Sequence, residues 1–229
     1  MQLTKYFDWP LNKIDAFDIQ KEMAKKVEIF SNFDDINLIA AVDTAYGKNA
    51  EVIYASVVLI KFPDIEEIER RFQYEKVSFP YIPGMFYFRE GEAIEKVLQK
   101  LDTEPDLLII HGHGIAHPLR CGLASHIGIG FDKPTIGCAR KLVCGSHREV
   151  GEIKGNSQPI YHKDKEVGIA YRSKENVKPI FISPGHKCDV KLANEIIVKN
   201  LRSYRMPEPL RLAHLFANKF KRHIEKNKK

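Results

Sequence analysis

The 229-residue sequence predicts an α/β fold in which helices flank a mixed β-sheet. Two consecutive segments rich in apolar and β-branched residues come first, and a third segment follows a turn signal; together they predict a meander of antiparallel strands. Beyond residue 100, short apolar runs alternate with segments of helical periodicity, which is typical of parallel strands joined by helices. A meander followed by such units gives a mixed sheet. The length and the lack of a Pro/Gly-rich linker predict a single domain over residues 1–229.

The first half of the chain supplies the meander and two helices. Residues 14–30 have the composition of a helix, and strands are predicted at residues 36–43, 52–62 and 65–77. The third strand follows a turn at Pro63, so we expect it to pair with the second. Residues 80–84, PYIPG, predict a rigid loop, and apolar residues at helical spacing predict a helix that begins near Glu90.

The second half supplies the alternating units. A buried strand is predicted at residues 105–110, and a helix is predicted to open at Pro118 after a Gly/His-rich loop. A further strand is predicted at residues 134–138, and two or three short strands at residues 158–183. Asp189 is a candidate cap for a helix that runs to residue 201. The last helix is predicted at residues 207–220.

The net charge of +6 conceals a strong asymmetry along the chain. Residues 1–110 carry 13 basic and 20 acidic residues, whereas residues 111–217 carry 17 and 9. Residues 218–229 form a basic C-terminal tail with 6 basic residues and 1 acidic residue. Such asymmetry favours a polyanionic partner. A basic tail that only increases solubility is the alternative.

Several protein classes are disfavoured by what the sequence lacks. The N-terminal residues carry charges and a proline where a signal peptide has an apolar run, and no stretch approaches the ~18–20 apolar residues of a membrane span. The four cysteines form no C-x-x-C pair, which disfavours a zinc ribbon or a thioredoxin-type site. We therefore expect a reduced, cytoplasmic, monomeric protein without a membrane partner.

Acidic and histidine side chains follow the predicted strands. Asp43 ends the first strand, Glu90 opens a helix, and the strand 105–110 runs into HGHGIAH, residues 111–117. Each feature also has a structural alternative. Asp43 could be a turn former, Glu90 could be an acid at a helix N-terminus, and residues 111–117 could form a tight turn. Because functional sites of open α/β sheets lie at the carboxyl ends of strands, we expect these groups to converge. Carboxylates gathered there suit Mg²⁺ or Mn²⁺.

Two further residues have both a functional and a structural interpretation. Arg140 follows the strand 134–138, where it could contact a phosphate or lie on the surface as a solvated cation. His214 lies in the last helix beside an apolar face, where it could join the site or pack in the core.

Six ordered motifs resemble the endonuclease V family: VDTAYG, FPYIPGMFYFRE, IIHGHGIAHPLRCGLASHIG, KPTIGCARKLVCG, FISPGHK and MPEPLRLAH. The resemblance covers roughly residues 35–220. It implies a ribonuclease H-like fold and a Mg²⁺-dependent endonuclease that acts on DNA or RNA containing deoxyinosine or inosine. Cleavage would occur at the second phosphodiester bond 3′ to the inosine and leave a 3′-hydroxyl and a 5′-phosphate.

The resemblance also implies roles for individual residues. Asp43 and Glu90 match metal ligands, His111 occupies the place of a third ligand, and His214 falls near the metal. Residues 80–83 resemble a wedge that fills the space of the displaced base, with Tyr81 as its aromatic residue. The matched base-binding residues are Pro83 and Gly84 from this segment together with Gly112, His117 and Gly122. Extrusion of an ill-paired inosine requires little unstacking energy.

Two positions depart from the family pattern. The resemblance implies an Asp where this chain has His111 and a Lys where it has Arg140. Because imidazole is neutral and softer than carboxylate, we expect weaker Mg²⁺ binding and a greater role for Mn²⁺. Three functions are therefore open: an inosine-directed nuclease, an inosine- or lesion-binding homologue that is catalytically impaired, and a nuclease redirected to mismatched, flap or branched DNA.

Overall fold

Eight strands and five helices make up the described part of the chain, residues 1–10, 12–30 and 35–227 of a computed structural model. In chain order they are α1 (Lys13–Ala24), β1 (Leu38–Tyr46), β2 (Val52–Lys61), β3 (Glu66–Lys76), α2 (Phe86–Leu98), β4 (Leu107–His111), α3 (Leu123–Phe131), β5 (Thr135–Ala139), β6 (Ser157–His162), β7 (Lys165–Tyr171), β8 (Ile180–His186), α4 (Val190–Lys199) and α5 (Glu208–Asn227).

All eight strands belong to one mixed sheet, in the order β3-β2-β1-β4-β5-β8-β7-β6. The predicted meander β1-β2-β3 is antiparallel, and β1, β4 and β5 run parallel to one another. The last three strands are antiparallel, with β8 pairing β5. The predicted α/β class and mixed sheet are confirmed.

The central strands are buried on both faces, which explains their uninterrupted apolar runs. Along β1, Ala40 and Val42 pack into a cluster with side chains of α2 and α3. The alternate residues Ile39 and Ala41 pack into a second cluster with side chains of α4 and α5. Residues of odd and even number on this strand therefore face different helices.

The strands differ from their predicted bounds at two places that concern the site. Asp43 does not end its strand, because β1 continues to Tyr46 and stays paired with β2. Likewise β8 runs through His186, three residues beyond the limit of the short strands predicted within residues 158–183. In both cases neighbouring strands extend the ladder past residues that favour turns in isolation.

The helices also differ from prediction at their ends. α2 begins at Phe86, so Glu90 lies in its second turn and is not a helix N-terminal acid. Pro118 does not open a helix, because the chain folds back through Gly122 N to Gly114 O, 3.0 Å, and α3 begins at Leu123. Asp189 caps α4 as predicted, accepting from Leu192 N at 2.7 Å.

The C-terminal helix α5 is longer than predicted and includes most of the basic tail. It runs to Asn227, while residues 228 and 229 lie outside the described part of the chain. Within residues 1–10, 12–30 and 35–227, no helix combines the length and the apolar composition needed to cross a membrane.

Candidate functional site

Asp43 is held between two histidines from different elements. His111 Nδ1, at the end of β4, lies 2.7 Å from Asp43 Oδ1, and His214 Nδ1, on α5, lies 2.8 Å from Oδ2. The backbone N–H of Thr44 donates to Oδ1 at 2.7 Å. Asp43 is only 4% exposed. His214 is therefore part of this cluster, and its interpretation as a plain core residue is wrong.

The two imidazoles keep Asp43 ionised although it is buried. Burial alone would raise its pKa, but His111 and then His214 outweigh burial and lower the pKa to about 2. The converse holds for His111: burial disfavours its charged form, yet the Asp43 carboxylate raises its pKa above the usual value. Asp43 is therefore a carboxylate throughout the physiological range.

Glu90 is a second buried carboxylate, bound by two hydroxyl groups. It is 8% exposed and accepts from Thr44 Oγ1 at 2.8 Å and from Tyr46 OH at 2.7 Å. Burial raises the pKa of Glu90, and the hydrogen bonds from Tyr46 and Thr44 oppose that rise. Among the described residues, no Lys or Arg forms an ion pair with it. A buried carboxylate without a cationic partner is costly and suits a bound cation.

The donor chemistry of this cluster fits a divalent cation. In the present arrangement, however, hydrogen bonds within the protein already engage both carboxylate oxygens of Asp43. Asp43 and Glu90 offer oxygen donors and His111 offers a nitrogen donor. Both Asp43 oxygens already accept from imidazoles, and within the described ranges no three His, Cys, Asp or Glu side chains surround a common point. For His111 to bind a cation through Nδ1, it must give up its hydrogen bond to Asp43.

A pocket of about 570 Å³ adjoins the two carboxylates. This volume lies within the ~300–1,000 Å³ range of small-molecule sites. Predicted site residues contribute to its lining, as do apolar side chains of α2, α3 and the segment after β5. The lining includes Asp43, Glu90, His111, Tyr81, Pro83, Gly84, Gly112, His117, Gly122 and Arg140, with Phe86, Tyr87, Leu123, Leu142 and Val143. The structure thus brings the predicted base-binding residues and the carboxylates together at one cavity, while their roles stay predictions.

Tyr81 stands at the mouth of this pocket. It is 63% exposed, and its ring meets Phe86 edge-on at a centroid distance of 5.5 Å. Gly84 closes the same turn with a φ of +83°, a conformation that favours glycine. An exposed aromatic ring on a turn that borders a cavity is suited to stack against bases.

His117 joins the opposite wall to this turn. Its Nε2 lies 2.8 Å from Gly84 O, and its Nδ1 lies 3.3 Å from Leu119 N. Because a carbonyl only accepts and an amide N–H only donates, the ring is neutral with its proton on Nε2. Burial lowers the pKa of His117 to about 4, which agrees with a neutral ring. His117 therefore shapes the pocket through its ring and has both nitrogens engaged by the protein.

The close approach of the pocket loops depends on Gly122. A Cβ at this position would lie 2.3 Å from His113 O, far inside contact distance. The backbone of residues 113–114 also accepts from Gly122 N and Ala124 N. Any larger residue would therefore displace the loop that follows His111 and begins at Gly112.

Glu95 and His126 form a buried polar group next to Tyr87, and neither residue was singled out from the sequence. Tyr87, which lines the pocket, donates its hydroxyl to Glu95, and its ring stacks on His126 at a centroid distance of 4.1 Å. Burial raises the pKa of Glu95 to about 7, opposed by Tyr87 and Lys5. Burial also lowers the pKa of His126 to about 3. These groups support one wall of the cavity.

Three residues of the site were missed by sequence reasoning. Thr44 and Tyr46 are two residues apart on β1, so their side chains share one face of the sheet, opposite that of Asp43. Both bind Glu90, and their two-residue spacing in the sequence could have identified them as neighbours. Gln20 of α1 also lines the pocket, and nothing in its local sequence indicates this.

Arg140 lies where the sequence placed it, directly after β5 and on the pocket lining. Its side chain is exposed, and its backbone carbonyl accepts from Arg205 Nη2 at 2.8 Å. No carboxylate of the described residues forms an ion pair with it. Its guanidinium is thus available to an anionic ligand.

Comparisons with known proteins agree with this architecture. The family model described as Endonuclease V matches residues 21–215. The chain is 41% identical to Endonuclease V of Dictyoglomus turgidum over 215 residues, which are 94% of this chain and 93% of that protein.

Solved structures give the same result. Endonuclease V of Bacillus subtilis is 28% identical, with a TM-score of 0.93 and coverage of 99% of this chain and 100% of that one. Endonuclease V of Ciona intestinalis, in complex with a 24mer DNA containing an inosine followed by a ribo-adenosine, is 28% identical, with a TM-score of 0.80 over 92% of this chain and 98% of that chain. These likenesses confirm the expected ribonuclease H-like fold. The chain belongs to the Endonuclease V family.

Proposed function

We propose that this protein is a metal-dependent endonuclease that cleaves DNA or RNA at the second phosphodiester bond 3′ to deoxyinosine or inosine, in nucleic-acid repair or processing. Family membership and the inosine-containing DNA bound to the Ciona intestinalis relative support this function. One observation carries the proposal for this chain: a mostly apolar pocket and two buried carboxylates, Asp43 and Glu90, share one cavity. A base bound in the pocket would thus bring its own strand to the carboxylates.

The pocket side of the site would select and hold the base. An inosine leaves a duplex at low cost because its pairing is weak, and an extruded base gains contact with apolar and aromatic walls. Tyr81, exposed at the rim, would stack where the base has left the helix. His117 and Gly84 would keep the pocket shape through their mutual hydrogen bond.

The carboxylate side of the site would hold the cation. Asp43, Glu90 and His111 would be its ligands, and His214 would keep Asp43 oriented through its Oδ2. A bound divalent cation supplies electrostatic stabilisation of the charge that develops at the phosphate during cleavage. The nitrogen donor of His111 favours Mn²⁺ over Mg²⁺. Arg140 would bind a backbone phosphate of the same strand.

The test is cleavage of a deoxyinosine oligonucleotide and of an inosine RNA, each with Mg²⁺ and with Mn²⁺. We expect one cut, at the second phosphodiester bond 3′ to the inosine, with faster cleavage in Mn²⁺. Asp43→Ala is the matched control, because it removes the central carboxylate without touching the pocket wall at Tyr81 or His117. Cleavage no greater than that of Asp43→Ala in either metal would refute the nuclease function.

A second candidate function is inosine binding without cleavage. It is favoured by the arrangement around Asp43, whose two oxygens are both occupied by imidazoles. This function predicts tighter binding to inosine-containing than to matched DNA at one fixed salt concentration, with no product. His111→Asp separates the two candidates: cleavage that appears only in this variant supports the binding function for the natural chain.

We also propose that the protein acts as a monomer in the cytoplasm. All four cysteines, Cys121, Cys138, Cys144 and Cys188, are free thiols, which supports a reducing compartment. Fractionation of cells and light scattering of the purified chain test the two parts of this proposal.

A further inference from the structure

Gln20 is a buried polar residue on a helix that otherwise buries little. It lies in the last two turns of α1 and is 2% exposed, whereas most of the other residues of the helix face solvent. The α1 side chains buried with it are those of Ala16 and Met23. A buried amide is unfavourable unless its hydrogen bonds are made. The partners of Gln20 therefore explain its presence there.

Both protons of the Gln20 amide are directed at backbone carbonyls of distant segments. Nε2 donates to Gly84 O at 3.0 Å and to Cys121 O at 2.9 Å. Because both partners are pure acceptors, the amide orientation is fixed: the nitrogen must face them. The side chain thus spans a gap that no smaller residue could bridge.

The two carbonyls belong to two different segments of the pocket wall. Gly84 ends the turn that carries Tyr81, and Cys121 directly precedes Gly122 at the start of α3. Neither segment is part of the sheet or of a helix, so no ladder of hydrogen bonds holds them together. The other side-chain hydrogen bond between these segments in the described residues is that of His117 to Gly84 O. Gln20 and His117 therefore converge on one carbonyl from two sides.

We propose that Gln20 is a positioning residue for base recognition: its two hydrogen bonds fix the Tyr81 turn relative to the α3 loop, the two segments that an extruded inosine would contact. This inference rests on the proposed inosine-directed function. Without these two donated hydrogen bonds, the side-chain hydrogen bond that remains between the Tyr81 turn and the α3 side in the described residues is that of His117 to Gly84 O. The pocket then accommodates inosine less selectively, while contacts to the phosphate backbone are unchanged.

The experiment measures binding of two oligonucleotides that differ only in one base, inosine or adenosine, to the wild type and to Gln20→Met. Methionine has a similar length but donates no hydrogen bond. For wild type, the Kd for the adenosine oligonucleotide divided by the Kd for the inosine oligonucleotide measures the preference for inosine. We expect this ratio to fall about tenfold in Gln20→Met, the fold-change that corresponds to about 1.4 kcal/mol. Binding of the adenosine oligonucleotide should be unchanged. The matched control is Asp18→Asn, an exposed position on the same helix, which should keep the wild-type ratio.

The ratio separates positioning from a merely structural role, because a loss of folded protein weakens both affinities equally. A wild-type ratio in Gln20→Met would overturn the proposal, whatever the change in stability. Gln20→Leu, which also lacks donors, provides the same measurement should the methionine variant fail to fold. Equal affinities of the wild type for both oligonucleotides would refute the base pocket itself, and that outcome is distinct from a failure of Gln20 alone.

Discussion

Replacing Glu95 by Gln is expected to stabilise the protein at alkaline pH and to have little effect in mild acid. Burial raises the pKa of this carboxyl from 4.5 to about 7 in the folded protein. Between these values the unfolded chain holds fewer protons than the folded chain, so stability falls as the pH rises through this window. The pKa difference corresponds to about 3 kcal/mol at about 1.36 kcal/mol per pKa unit. Gln carries no charge and keeps an oxygen for the Tyr87 hydroxyl.

The assay is denaturant unfolding of wild type and Glu95→Gln at several values between about pH 4.5 and pH 8. The variant should gain up to about 3 kcal/mol above pH 7, and the gain should shrink towards zero near pH 4.5. Glu92→Gln is the matched control, since this residue lies on the same helix in a partly exposed pair with Lys96 and should change stability by less than about 1 kcal/mol. A gain for Glu95→Gln that is the same at every pH would refute the reasoning.

Three further substitutions test other parts of the structure. In Gly114→Ala, the added Cβ would lie 1.9 Å from Pro184 O. The variant should therefore fail to fold normally or lose at least about 3 kcal/mol of unfolding free energy in denaturant, and wild-type stability would contradict this contact. Tyr81→Ala should weaken binding to inosine DNA by about 1–3 kcal/mol in a titration without changing the melting temperature, since the ring is exposed. Arg140→Ala should reduce the slope of log K against log salt by about one, and an unchanged slope would show that Arg140 binds no phosphate.

The sheet could be predicted because its signals are local. The apolar runs at residues 36–43 and 105–110 reflect burial on both faces, and the Asp189 cap needs only its own helix. The start of α3 could not be predicted in this way. It is set by hydrogen bonds from Gly122 N and Ala124 N to a loop eight to eleven residues earlier, and Gly122 has no capping side chain.

The site was predictable to the extent that family motifs carry its residues. Asp43, Glu90 and His111 stand in such motifs, and their convergence was already expected from their places near the predicted strand ends. Gln20 stands in none, and its partner Cys121 is 101 residues away, so only the folded chain reveals the pair. The bond between His111 and Asp43 is likewise a tertiary contact, across 68 residues.

The distance in sequence between Asp43 and His214, 171 residues, has a consequence for synthesis of the chain. β1 leaves the ribosome early, whereas α5, which packs against β1, is made after all the other described elements. Until α5 docks, one face of β1 lacks its cover, and Asp43 has neither its second imidazole nor its burial. Contacts between distant segments form late because long loops must close first. The cluster around Asp43 is therefore completed only after α5 has been made, and a chain that stops before α5 cannot assemble it.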